Sequence, residues 1–187
     1  MISYSELKKG VRIILEKEPY EIIESAPMFK ARGSSVLQTK VRSLKTGKVF
    51  SRTFHSSDNF EEPDISKIEA KFLYNHREKY VFSEKDNPSK RFELQSEQIE
   101  EKKNFLKPNN IVEALMFEGE IINIALPIKI NLKVKQAPPS LKGEKAQSGP
   151  KTVVLETGAK INVPVFIKTG DIIEVNTETG EYVRRVE

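Results

Sequence analysis

The chain has no cysteine, no tryptophan and only two histidines, His55 and His76, in 187 residues. Without cysteine there is no disulfide framework, no thiolate-ligated zinc or iron–sulfur centre and no thiol nucleophile. The histidines lie on either side of a polar break, with no nucleophile or ligand set beside them, and read as structural or surface residues. No Gly-rich phosphate loop occurs, neither GxGxxG nor GxxxxGK followed by Ser or Thr. The paired acids Glu61-Glu62 and Glu100-Glu101 fall in a linker and a short helix and read as solvated charge, so a carboxylate-based hydrolase has no support. No apolar run approaches the about 20 residues of a membrane span. The first ten residues lack the basic-then-apolar start of a secretory signal. These absences predict a cytoplasmic protein that is not an enzyme, takes no cofactor or metal and has no membrane partner.

What is present is polar. Hydrophobic residues make up 37% and charged residues 31%, which suits several small barrels better than one large core, because small units keep more surface in water. Ten prolines and nine glycines supply many turns. The formal charge of +4 tolerates a polyanionic partner without demanding one.

The pattern is one of short strands. Residues 12–16 and Tyr20 to Glu24 read as a hairpin, and Ser25 to Ser35 as a gap. From Val36 to Arg42 the chain alternates, with Leu37, Thr39 and Val41 on one face and Gln38, Lys40 and Arg42 on the other. Lys45-Thr46-Gly47-Lys48 is a turn, followed by a strand from Val49 to Phe54. This predicts an SH3-like barrel over residues 1–64, closed by a Pro-bearing break. Strand signals return at residues 71–74 and 79–82. A helix is expected over 97–105, capped by Ser96, and a hairpin over 111–126 with Glu118-Gly119 at its turn. Residues 65–128 form the second expected domain. The third, 129–187, opens on the alternating run Lys129 to Lys135 and carries a long loop, 137–149. Strands are expected at 152–155, 159–163, 166–167, 171–175 and 182–186.

Specific motifs lie on this frame. Lys151, Gly158, Ile161, Val163-Pro164, Ile167 and Gly170-Asp171 resemble the signature of bacterial translation elongation factor P. Pro138-Pro139-Ser140-Leu141-Lys142-Gly143 and Thr179-Gly180-Glu181-Tyr182-Val183-Arg184-Arg185-Val186 extend the likeness. At the other end, Glu18-Pro19-Tyr20, Thr39-Lys40-Val41-Arg42, Lys45-Thr46-Gly47 and Thr53-Phe54 are also similar to that family. The resemblance implies an all-β fold of three consecutive small β-barrels, KOW/SH3-like and then two OB-folds, in an L-shaped outline like that of tRNA. It implies a monomer that binds the 70S ribosome, through rRNA and ribosomal proteins, between the peptidyl-tRNA and exit sites. There it would position P-site tRNA and stimulate peptide-bond formation at consecutive prolines.

Family members act through a basic residue at the tip of a first-domain loop, often modified by a dedicated enzyme. The family spacing places Arg32 at the tip, with Lys30 as the alternative and Gly33 beside it. The usual Pro-Gly-Lys-Gly or Pro-Gly-Arg-Asn is replaced here by Phe29-Lys30-Ala31-Arg32-Gly33-Ser34. Neither lysine nor arginine modification therefore carries over directly. The Ala-Arg-Gly tip is also similar to the elongation-factor-P-like paralogue, so that relative stays open as an alternative. Physically, a guanidinium pairs bidentately with phosphate and keeps its proton, and Gly33 allows a tight tip. The same residues taken alone also suit a solvated arginine on a hairpin. In the third domain, Lys142, Gly143, Glu144 and Lys145 stand where the family usually has Gly-Asp-Thr, near mRNA on the exit-site side. Lys40, Arg42, Tyr182 and Arg184 are further RNA-contact candidates, since cations meet phosphates and aromatic or guanidinium planes stack on bases. The rival reading from the residues is a general OB-type binder of single-stranded nucleic acid.

Overall fold

The computed structural model describes residues 1–29, 35–138 and 149–186. It is all-β. In the first unit, β1 (Ile2–Ser3) is followed by β2 (Arg12–Leu15), β3 (Glu18–Phe29), β4 (Ser35–Ser43), β5 (Val49–His55) and β6 (Asn59–Phe60). The sheet runs β2-β3-β4-β5, and β1 pairs with β6 at its end. The alternation read in β4 holds: Leu37, Thr39 and Val41 are buried, whereas Gln38 and Lys40 are exposed. The Thr39 hydroxyl, inside this core, donates to the Arg52 carbonyl at 3.0 Å, so burying it costs little. Leu7, Ile13, Ile22 and Phe54 complete the core.

The expected gap at Ser25 to Ser35 is mostly strand, because β3 continues past Glu24 to Phe29 and pairs with β4 throughout. Pro27 lies inside it. A proline lacks the ladder N–H and survives where one edge of a strand is open. β2 covers β3 only from Glu18 to Glu21, so the stretch holding Pro27 is such an edge.

The second unit contains β7 (Ile65–His76), β8 (Lys79–Glu84), β9 (Arg91–Gln95), β10 (Ile111–Phe117) and β11 (Glu120–Ala125). Its order is β11-β10-β7-β8-β9. The first strand is central, flanked by the second and fourth, and β9 and β11 approach each other across the curl. That connectivity is the five-stranded Greek key of an OB-fold. The β10–β11 turn has positive φ at both Glu118 (51°) and Gly119 (82°), as a tight two-residue hairpin requires. β9 is a strand the sequence does not announce: Phe92 and Leu94 alternate inward between Arg91, Glu93 and Gln95. The expected helix is shorter: α1 spans Ser96–Ile99 and a 3-10 segment follows, Glu100–Phe105. Its N-cap is Gln95 rather than Ser96. The Gln95 amide donates to Gln98 Oε1 at 2.7 Å, while Ser96 is buried and its hydroxyl accepts from Lys103 Nζ at 2.6 Å.

The third unit repeats the connectivity. β12 (Lys129–Gln136), β13 (Lys151–Leu155), β14 (Lys160–Val163), β15 (Ile172–Asn176) and β16 (Tyr182–Arg185) run in the order β14-β13-β12-β15-β16. Residues 166–167 lie in a turn region rather than a strand, because the Ile167 amide donates back to the Pro164 carbonyl at 3.2 Å and not to a neighbouring strand; Ile167 is buried and Phe166 exposed. The units share apolar contacts. Leu44 and Ile14 of the first pack with Leu115, Phe117 and Ile122 of the second. Phe105, which ends the 3-10 segment, is buried in the core of the third.

Candidate functional site

The loop that closes the β3–β4 hairpin comprises residues 30–34. Lys30, Arg32 and Gly33 therefore lie outside the described residues, as do Lys142, Gly143, Glu144 and Lys145. The structure does define what carries the first loop. β3 and β4 are paired residue by residue from Tyr20↔Ser43 to Phe29↔Ser35, with one bulge between Ile22 and Glu24. β5 backs β4 from Arg42 to Val36. Residues 30–34 thus connect two strands of a three-stranded arm, β3-β4-β5. The opposite end of β4 runs into the turn at Leu44 to Gly47, where the first unit meets the second.

That meeting point is dense in polar contacts. Asn123, almost fully buried, donates to the carbonyls of Leu44 (3.3 Å) and Gln98 (2.9 Å). Its own oxygen accepts from Lys102 Nζ at 2.9 Å and from the Ile124 amide at 2.8 Å. Gln98 Nε2 donates to the Lys45 carbonyl at 2.6 Å. Lys45 Nζ lies 5.8 Å from the centre of the Phe117 ring, within cation–π range. Arg42 Nε stands 3.0 Å from Glu100 Oε1. The pair is off the line of a hydrogen bond, which leaves this buried N–H with ionic attraction alone among the described residues.

These charges perturb one another. Burial pushes the Glu100 carboxyl up, opposed by the Arg42 and Lys102 cations. Burial pulls Lys102 down to about 8, partly offset by Glu21 and Glu100. Glu100 also holds φ at +45°, a conformation a non-glycine residue keeps only when its surroundings fix it.

The remaining RNA-contact candidates are spread over the molecule. Lys40 is exposed on β4 and pairs with Glu24 at 2.8 Å. Arg42 faces the second unit. Tyr182 packs partly against the third core. Arg184 is exposed and bonds Glu174 at 3.1 Å, a contact that, with Lys129 nearby, holds that carboxyl below its usual range. The structure does not bring Lys40 and Arg42 together with Tyr182 and Arg184 in one cluster. Sequence reading missed Gln98, Asn123 and Lys102. Asn123 left a signal, a lone amide in the apolar run Ile121-Ile122-Asn123-Ile124. Among the described residues no group of three or more acidic or histidine side chains could hold a metal, and no helix is long and apolar enough to cross a membrane.

Comparison with known proteins accounts for the three units in order. Residues 3–60 match the elongation factor P KOW-like domain, 65–124 the elongation factor P OB domain, and 130–185 the elongation factor P C-terminal domain. Elongation factor P of Moorella thermoacetica is 36% identical over 185 residues, covering 99% of this chain and all of that one. The Thermotoga petrophila protein of the same name is 40% identical over the same span and coverage. Among solved structures, a eukaryotic translation initiation factor 5A from Methanococcus jannaschii aligns with a TM-score of 0.48 at 17% identity, covering 66% of this chain and 92% of that one. Matched along essentially its whole length by family domains and by full-length relatives, the chain belongs to the elongation factor P family of translation factors.

Proposed function

We propose that this protein works without catalysing a reaction, as a translation elongation factor that docks on the ribosome between the peptidyl and exit sites. The loop at residues 30–34 reaches the acceptor end of P-site tRNA, and Arg32 makes the decisive contact, with Lys30 in support. The ribosome performs the chemistry; the factor restores alignment of the acceptor end. Proline suffers most from misalignment because its ring fixes φ. A gain of ~1.4 kcal/mol in the barrier is already tenfold in rate, so a purely positional contribution is large enough. The observation that carries this reading is the full-length match to the family, domain by domain, with the β3–β4 arm ending in that basic loop.

The test is translation of a Pro-Pro-Pro reporter in a system lacking the endogenous factor. The wild-type protein relieves the stall, and Arg32→Ala loses most of that relief, by about tenfold or more if one charge-assisted contact is gone. Full rescue by Arg32→Ala removes Arg32 from the mechanism, and Lys30→Ala then tests the alternative. Intact mass of the native protein, with peptide mapping of residues 26–40, decides whether either residue is modified. The third-unit loop, with Lys142, Gly143, Glu144 and Lys145, is the proposed contact on the mRNA side. Exchange of Glu144 and Lys145 for alanine would then weaken ribosome affinity without abolishing tip action.

A further inference from the structure

Gly47 closes the turn after β4 at φ +74°, and its amide donates to the Ser43 carbonyl at 2.9 Å. A Cβ at this position would fall within the Glu97 carbonyl group, 2.7 Å from its carbon, and 3.3 Å from Gln98 Cα. The obstacle is backbone of the second unit, which cannot rotate away as a side-chain end can. Here two units meet with no room for one methyl group. Around this contact the Leu44 and Lys45 carbonyls are claimed by Asn123 and Gln98, and Leu44 is buried against Leu115 and Ile122. Gly119 and Gly10 also have positive φ, but nothing lies within 4 Å of a Cβ at either. Close approach therefore distinguishes Gly47 from glycines that serve only a turn.

The joint has leverage. β4 runs unbroken from Ser43, beside the joint, to Ser35 at its far end. At roughly 3.3 Å per residue that strut is about 26 Å long, so a tilt of about 10° at the joint moves its far end by about 5 Å.

We propose that Gly47, with Gln98 and Asn123, forms a fixed joint that sets where the far end of the β3–β4 pair, at Phe29 and Ser35, stands relative to the second unit. These three are positioning residues for the contact that the loop makes. The proposal rests on the functional reading above only for its consequence on translation; the joint itself is a statement about geometry.

The absence of native cysteine allows a spin-label pair to be placed without background, at Thr53→Cys on β5 and Asn75→Cys on the β7–β8 hairpin, both exposed. Pulsed electron–electron distance measurement on the full chain gives one narrow distance for the otherwise wild-type protein and for Gly119→Ala. Gly119→Ala carries the backbone strain of a positive φ without the collision. Gly47→Ala shifts or broadens that distance by several ångströms while circular dichroism keeps its strand signature. In the Pro-Pro-Pro reporter, Gly47→Ala lowers the stimulation at saturating factor by about tenfold, as misplacement on this scale allows. The half-saturating concentration changes far less. An unchanged distance in Gly47→Ala overturns the joint. A changed distance with undiminished saturating stimulation overturns the positioning role. If Gly47→Ala does not fold, Gln98→Ala removes the Lys45 contact without adding volume and is judged by the same two readouts. A wild-type factor that fails to relieve stalling sinks the functional reading and leaves the distance result to decide the joint.

Discussion

At the scale of single residues, Lys102 is the group whose behaviour follows most directly from its surroundings. Its ammonium is mostly buried, and its two hydrogen bonds go to neutral acceptors, Asn123 Oδ1 and the Ile124 carbonyl at 2.7 Å. A neutral amine with two N–H groups satisfies both; a charged one must also pay for lost hydration. Burial accordingly brings its pKa down to about 8 from an ordinary 10.5. The unfolded chain then holds this proton more tightly than the folded one. Between pH 8 and 10.5 the folded state has released this proton while the unfolded state still binds it, and that binding grows less favourable as the pH rises, so Lys102 makes the fold more stable as the medium becomes alkaline. Below pH 8 the penalty is constant. Tyr20 and Tyr80, both pushed up by burial, act in the opposite sense near pH 10 and are common to both proteins in a comparison. Urea titrations of wild type and Lys102→Met from pH 7 to 10 should therefore diverge. The wild type gains on the variant with a slope approaching about 1.4 kcal/mol per pH unit in mid-window. Parallel curves would mean that the amine is solvated in the folded chain.

At the scale of elements, the sequence was informative wherever a strand has one wet and one dry face. The alternation in β4 and the hairpin β10–β11 with its Glu118-Gly119 turn were readable because period two and turn chemistry agree. β9 is hard to read because its two inward residues, Phe92 and Leu94, sit among Arg91, Glu93 and Gln95. Pro27 disguised half of β3, since nothing local tells that one edge of that strand is free. Ser96 looked like a cap and is instead buried. The joint residues were out of reach for a different reason. Gln98 meets Lys45 across 53 residues of chain, and Asn123 meets Leu44 across 79. The expectation of Arg32, Lys30 and Gly33 at a loop tip rests on family likeness, and all three lie outside the described residues. The 3-10 segment carries its own consequence. Its last residue, Phe105, leaves the second unit to join the third core, the cluster that holds Leu132 and Ile173. Phe105→Ala opens a cavity there and should cost about 3–5 kcal/mol, the usual loss for a buried aromatic. Amide exchange should show the loss in β12 and β15 and spare β4, whereas uniform loss across all three sheets would contradict a local role.

At the scale of the whole molecule, small β units of about sixty residues are marginal alone, because so little of their surface can be buried. The contacts between them are therefore part of what keeps each folded. The first and second units share a mixed joint, apolar at Leu44, Leu115, Phe117 and Ile122 and polar at Asn123 and Gln98. Phe117 is its largest apolar member, with Lys45 against the ring. Such a joint couples unfolding of the two units, since losing one exposes the apolar face of the other. Phe117→Ala should thus do more than lower the melting temperature. Calorimetry of the wild type should show the first two units melting together, and in Phe117→Ala the first unit should melt separately and earlier. Phe82→Ala, which empties the interior of the second core instead, is expected to weaken that unit without splitting the transition. A variant at Phe117 that melts in one cooperative step, like the wild type, would show that the joint positions the arm without contributing to the stability of either unit.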